Sequence, residues 1–341
     1  MRVDGFLSHE LGRAQSEAQQ LEARGYDGAF SAEGPHEPFA PLLVAAEGTS
    51  RLELMTNIAV AFARSPLDLA QQANDLQLAS RGRFVLGVGS QIRPHIEKRY
   101  SMPWSQPAER MRELVSAIKA IQGCWQSGDP LAFQGQFYRH TLMTPFFSPG
   151  PNPYGPPPVF VAALGPRMTR VAAEVGDGLL IHPFHSGRFV REHADPCVDA
   201  GLQTSGRDRS QFTFATTAIL CTGTTSAERT VADTGVRRLL SFYGSTPAYR
   251  VVLEVHGWGE LQTELNRLSK EGRWEEMAQR IPDEVVAELT IRADPDDVGA
   301  CLRDRYAGLV DRISFSTPYA IAPETMGRVL ASVSATDTRS R

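Results

Sequence analysis

Apolar residues recur along this chain in two alternating rhythms. Short runs suited to pleated strands alternate with longer stretches whose apolar positions return every three or four residues. "MRVDGFL" reads as a strand, followed by a helix in "SEAQQLEARGYDGAF" that stops at Gly25. "DGAFSAE" is a second strand, and "PFAPLLVAAEGTS" a helix with proline in its first turn. "LELMTNIAVAF" predicts a third strand. The helix of "SPLDLAQQANDLQLASRG" is capped by Ser65 with Pro66 in its first position. "RFVLGVG" and "QPAERMRELVSAIKAIQGCWQ" form the fourth pair.

The rhythm breaks between 127 and 158, where "FSPGPNPYGPPP" suits neither regular element, and then resumes unchanged. "VFVAAL" and "RMTRVAAEVG" are the fifth strand and helix, "DGLLIHPF" and "SGRFVREHADPCVDAGLQ" the sixth. "QFTFATTAILC" is strand seven, followed by a helical stretch from 226 to 290 that exceeds one crossover. "DPDDVGACLRDRYAG" predicts a helix capped by Asp294, "VDRISFST" an eighth strand and "PETMGRVLASV" a closing helix. Eight strand–helix units predict an α/β protein, a (β/α)8 TIM barrel. The rival is a doubly wound open sheet, but no GxGxxG marks its first strand–helix turn. One domain over 1–335 is expected, with an insertion at about 127–158, extra helices at about 226–290 and a disordered tail at 336–341.

Composition narrows the class. Of 341 residues 42% are hydrophobic and 22% charged, and the net charge of -4 gives no general attraction to nucleic acid. No apolar run is long enough for a signal peptide or a membrane span. Four scattered cysteines without a CxxC pair read as thiols in a reducing compartment, so a cytoplasmic protein with no nucleic-acid or membrane partner is expected.

A barrel of this kind does its chemistry at the carboxyl ends of its strands. Those ends carry Ser8 and His9; Glu33 and His36; Asn57 and Arg64; Ser90, Gln91 and His95; and Thr317 and Tyr319. In "AALGPRMTR", Ala162, Ala163 and Gly165 let a ligand approach the backbone, and the helix opening near Pro166 aims N–H groups at an anion, with Arg167 close by. A tight turn with solvated arginines is the plainer alternative. Glu33, between Ala32 and Gly34–Pro35, is a candidate acid/base, with His36 and His9 as further proton donors. His182 and His185 lack an evident third ligand, so no metal is expected. Hydrolase and kinase motifs are missing.

"LEARGYDGAFSAE", "NIAVAFARSPLDLAQQANDLQLASRGRFVLGVGSQ", "MPWSQPAERMRELVSAIKAIQ", "FVAALGPRMTRVAAEVGDGLLIH" and "DPDDVGACLRDRYAGLVDRISF" together resemble the luciferase-like monooxygenase superfamily, more narrowly its branch using the deazaflavin coenzyme F420. The resemblance implies a TIM barrel with insertions and a non-prolyl cis peptide at Asn57–Ile58, backing the deazaflavin ring. It implies that Gly89, Ser90, Gln91 and His95 contact the ring and ribityl chain. Ala162, Ala163, Leu164, Gly165, Pro166 and Arg167 would hold the phosphate. The expected reaction is hydride transfer between the deazaflavin C5 and a small organic substrate. The alternatives are an FMN-dependent two-component monooxygenase with a partner flavin reductase, and a non-catalytic ligand-binding barrel. Relatives imply a homodimer.

Overall fold

Ser65 opens the third helix as expected, its hydroxyl accepting the Asp68 N–H at 3.1 Å with Pro66 in the first helical position. A computed structural model describes residues 1–334. The tail expected from 336 to 341 lies outside the described residues. In chain order the units are β1 (Arg2–Phe6), α1 (Ala14–Ala23), β2 (Gly28–Ser31), α2 (Phe39–Gly48), β3 (Glu53–Thr56), α3 (Pro66–Ala79), β4 (Phe84–Gly89) and α4 (Pro107–Ser127). Then follow β5 (Val159–Ala163), α5 (Pro166–Val175), β6 (Gly178–Ile181), α6 (Asp195–Ser205), β7 (Thr213–Cys221) and α7 (Ser226–Gly244). Four further helices fill the extra segment: α8 (Arg250–Glu254), α9 (Gly259–Lys270), α10 (Trp274–Gln279) and α11 (Asp283–Leu289). α12 (Val298–Tyr306), β8 (Arg312–Ser316) and α13 (Pro323–Ser334) end the described chain. The strand order is that of a closed eight-stranded parallel barrel, a TIM barrel.

The chain packs as two compact units, one of Arg2–Leu180 with Cys197–Thr213, the other of Ile181–Pro196 with the chain from Phe214 on. In the first, β1 to β5 pair in parallel with their neighbours in chain order. Leu54, Leu86, Val88 and Val161 are fully buried, as strands covered on both faces require. In the second, β7 pairs in parallel with β8 and with a two-residue strand at Ile291–Arg292.

One device recurs at the amino ends of the strands. The Asp27 carboxylate, just before β2, accepts the Val3 N–H of β1 at 2.7 Å, and its own N–H donates to the Val3 carbonyl at 2.9 Å. Asp177, before β6, does the same to Val159 of β5, at 2.8 and 2.7 Å. Asp311, before β8, accepts from Phe214 of β7 at 2.7 Å and donates back at 2.8 Å. Each pair satisfies a backbone donor in the first two residues of one strand and sets its register against the next.

Three local readings change. The run "LELMTNIAVAF" is not one strand: β3 ends at Thr56, the Asn57–Ile58 peptide is cis, and Ala59–Val60 pairs separately with β4. Asp294 does not cap α12, whose cap position is Asp297; the Asp294 carboxylate pairs with Arg229 instead. The irregular segment contains a small hairpin, Phe133–Gln134 against Arg139–His140. All four cysteines are free thiols, and among the described residues no helix is long and apolar enough to cross a membrane.

β3 and β4 approach unusually closely. The buried Thr56 hydroxyl donates to the Gly87 carbonyl at 2.7 Å and accepts the Gly87 N–H at 2.9 Å. A Cβ at position 87 would lie 1.9 Å from the Thr56 carbonyl oxygen, a backbone atom with no room to move. Gly87→Ala is therefore expected to lower stability by at least ~3 kcal/mol, the upper range of overpacking costs, in urea denaturation. Wild-type stability in the variant would show that the two strands separate freely there.

Candidate active site

The carboxyl ends of β2 and β3 are joined by one carboxylate. Glu33 is only 5% exposed, and its Oε2 accepts the Val60 N–H at 2.7 Å and an Arg64 guanidinium N–H at 2.6 Å. Oε1 accepts the Tyr100 hydroxyl proton at 2.6 Å. The Glu33 N–H donates to the Ile58 carbonyl at 3.1 Å, and the Asn57 N–H to the Ser31 carbonyl at 2.8 Å. Glu33 thus ties the end of β2 to the turn after the cis peptide and to the segment after β4. Burial and the hydrogen bond to Glu33 push the Tyr100 phenol up to about 12, so it remains a donor at neutral pH. Arg64 lies over the Phe39 ring, 5.5 Å from its centroid, and Arg99 donates to the Gly34 carbonyl.

The two candidate histidines lie beside this clamp. His9 and His36 have ring centroids 6.2 Å apart, and His9 also meets the edge of Phe6. His9 Nδ1 is buried and has no hydrogen-bond partner among the described residues. A buried polar atom in that state is suited to a ligand or a transferable proton. His36 is exposed. Its neighbour Glu37 is committed to α2, accepting the Phe39 and Ala40 N–H groups at 2.8 and 2.7 Å.

Residues at the ends of β3, β4 and β5 form a face of small and apolar groups. A Cβ on Gly89 would lie 2.8 Å from Ile58 Cδ1 and 3.4 Å from Ala162 Cβ, so glycine keeps this face flat. Asn57, Ile58, Ser90, Gln91 and Ala162 are all half-buried, and the Asn57 side-chain amide has no partner among the described residues. Gln91 adopts a left-handed φ of 60°, and its Oε1 accepts the Ile92 N–H at 3.1 Å. His95 is exposed, on a short helix over Arg93–Lys98.

Ala163 and Leu164 are buried and lead to Gly165, the cap residue of α5, which carries no side-chain cap. The first N–H groups of α5 are left for another acceptor. A Cβ on Gly165 would meet nothing within 4 Å, so the backbone there borders open space. Arg167 is exposed and makes no hydrogen bond or ion pair among the described residues, whereas Arg170 donates to Thr204 at 3.2 Å. An uncapped helix start, an open glycine and a free guanidinium fit an anionic group such as phosphate.

In the second unit, His185 is 1% exposed. Its Nδ1 lies 2.9 Å from the His182 carbonyl and its Nε2 lies 2.9 Å from the Tyr306 hydroxyl and 3.2 Å from Thr216 Oγ1. These partners assign the proton to Nδ1. Burial lowers the His185 pKa to about 4. No three metal-binding side chains come together among the described residues.

Position after strand two pointed to Glu33, but not to its partners. Nothing in the order of residues links Glu33 to Tyr100. Glu33→Gln leaves the Arg64 charge half-buried without its counterion and is expected to cost ~3 kcal/mol in urea denaturation. The double variant Glu33→Gln/Arg64→Met should recover part of that loss. Equal stability of all three proteins would show that the clamp is not holding these strand ends.

A second expectation concerns pH. The His185 pKa is depressed from 6.5 to about 4 on folding, so its contribution is full above pH 6.5 and is lost as pH falls through about 4. The urea midpoint should fall across that window, and more shallowly in His185→Asn, which cannot take up the proton. Identical slopes would remove His185 from the acid response.

The luciferase-like monooxygenase family model matches residues 4–312. An uncharacterized protein of Mycobacterium tuberculosis is 51% identical over 313 residues, 92% of each chain. The 5,10-methylenetetrahydromethanopterin reductase of Archaeoglobus fulgidus is 30% identical over 267 residues, 76% of this chain and 75% of its own. Among solved structures, the coenzyme F420-dependent tetrahydromethanopterin reductase of Methanopyrus kandleri superposes with a TM-score of 0.77 at 19% identity, covering 97% of this chain and 96% of its own. With a parallel barrel, a cis peptide after its third strand and a family match over most of its length, the chain belongs to the luciferase-like monooxygenases.

Proposed function

We propose that this protein is an oxidoreductase that uses the deazaflavin coenzyme F420 to reduce or oxidise a small organic molecule. The observation that carries the reading is the start of α5. There an uncapped helix, an open Gly165 and the unpaired Arg167 are suited to the phosphate of a coenzyme. A similar chain at 30% identity is a 5,10-methylenetetrahydromethanopterin reductase, and a coenzyme F420-dependent tetrahydromethanopterin reductase shares this fold.

Ala162, Ala163, Leu164, Gly165, Pro166 and Arg167 would hold the phosphate. Ile58 and Gly89 would back the ring, and Asn57, Ser90 and Gln91 would supply polar contacts to it. When bound, the deazaflavin supplies hydride transfer at its C5. The protein's part is to orient the ring and to place a proton. His9 suits the second task because its buried Nδ1 has no partner of its own among the described residues. Glu33, whose two oxygens are already taken by three donors, is suited to holding the site together.

Fluorescence titrations of the purified protein with coenzyme F420 and, separately, with FMN test this. Saturable binding of the deazaflavin is expected, and Gly165→Asp should weaken it at least about tenfold by setting a carboxylate against the phosphate. Binding of FMN alone would instead favour oxygen chemistry with a partner flavin reductase. Undiminished F420 affinity in the folded variant would remove the phosphate assignment.

A further inference from the structure

Just after β6, His182 is locked in one tautomer. Its Nδ1 accepts the Phe184 backbone N–H at 3.1 Å, so the imidazole proton sits on Nε2. That Nε2–H has no partner among the described residues, yet it is not one of the buried orphan atoms, so it faces open space. Two tyrosines flank the ring. Tyr249 lies 4.3 Å away between centroids, tilted by 35°, and Tyr243 meets it edge-on at 4.7 Å. The hydroxyls of Tyr243 and Tyr249 are likewise without hydrogen bonds among the described residues. Phe184, with centroids 6.1 and 6.2 Å from the two tyrosines, completes the aromatic set.

All three polar side chains are neutral near pH 7. Burial and the neighbouring His185 lower the His182 pKa to about 3. Burial raises both phenols, that of Tyr249 to about 12 with Tyr243 adding to it. No carboxylate or guanidinium contributes to any of these shifts, so nothing in the cluster recognises an ionic ligand. What it offers is aromatic surface and directed, uncharged hydrogen-bond donors.

We infer that His182, Tyr243 and Tyr249 form a binding subsite for a flat, uncharged carbonyl compound, in which the rings pack against the conjugated part and His182 Nε2–H donates to the carbonyl oxygen. A hydrogen bond from a neutral donor between aromatic rings gains strength once a bound ligand excludes water and lowers the local dielectric. The rings favour π-systems over saturated groups of the same size. A core cluster serving only packing has no need of an imidazole whose N–H has no acceptor among the described residues.

Acetophenone is the probe, titrated without coenzyme, so the result stands apart from the oxidoreductase reading. Its binding is expected to shift the His182 side-chain resonance in protein labelled with nitrogen-15 histidine. Cyclohexyl methyl ketone, which keeps the carbonyl and loses the π-system, should bind about threefold to tenfold more weakly. His182→Asn keeps an acceptor for the Phe184 N–H and removes the outward donor. It should weaken acetophenone about fivefold, the worth of one hydrogen bond. Tyr249→Leu should weaken it similarly and serves as the second variant if His182→Asn fails to fold. Absence of binding up to the solubility of acetophenone would overturn the assignment. So would equal affinity of the two ketones, or undiminished affinity in both folded variants.

Discussion

Three aspartates set the register on which the strand ends depend. Asp27, Asp177 and Asp311 each stand immediately before a strand and close a two-bond ring with the first residues of the preceding one. In a parallel sheet a slip by one residue turns every side chain to the opposite face. With the amino ends of these paired strands clamped, the residue at which each of them runs out is fixed too. Glu33 sits where it does because β2 starts where it starts.

From that frame the close approach at Thr56 and Gly87 takes on its meaning. A threonine hydroxyl bonded to both the N–H and the carbonyl of one glycine leaves no space for a side chain between β3 and β4. The chain leaves β3 through the cis Asn57–Ile58 peptide, and Ala59–Val60 then pairs with Val88–Gly89. The Glu33 carboxylate binds this detour to β2 through the Val60 N–H and Arg64. A carboxylate is the right group there because one side chain satisfies a backbone donor, a guanidinium and a phenol together. Three charge-assisted or polar bonds on one buried group make it a strut, and a strut is a poor proton shuttle.

Legibility in the sequence followed the range of the interactions involved. Strands and helices were readable because their signals are local: apolar runs ended by glycine, Ser65 before Pro66, Gly25 after α1. The detour after β3 was not, since every residue of "LELMTNIAVAF" suits a strand and nothing local marks the break. The resemblance to a family supplied the cis peptide where residue patterns were silent. Asp294 was misread as a cap because a cap and an ion-pair partner look alike in sequence; Arg229, its actual partner, is 65 residues away. The same limit applies to Glu33, whose Val60, Arg64 and Tyr100 partners lie 27, 31 and 67 residues on. A strand-end position is visible in a sequence, but the set of groups that converge on it is not.

The two histidine-bearing regions show how burial selects chemistry from one residue type. His185 is enclosed, with both nitrogens bonded, and its neutral state is part of the packing. His182, three residues earlier, shares the depressed pKa but has one nitrogen fixed by the backbone and the other outward. His9 has a buried Nδ1 with no partner among the described residues, beside a second imidazole. Desolvation disfavours the imidazolium at His182 and His185, but only an unpaired nitrogen can act on a ligand. A histidine's function therefore follows from which of its two nitrogens the fold has already used.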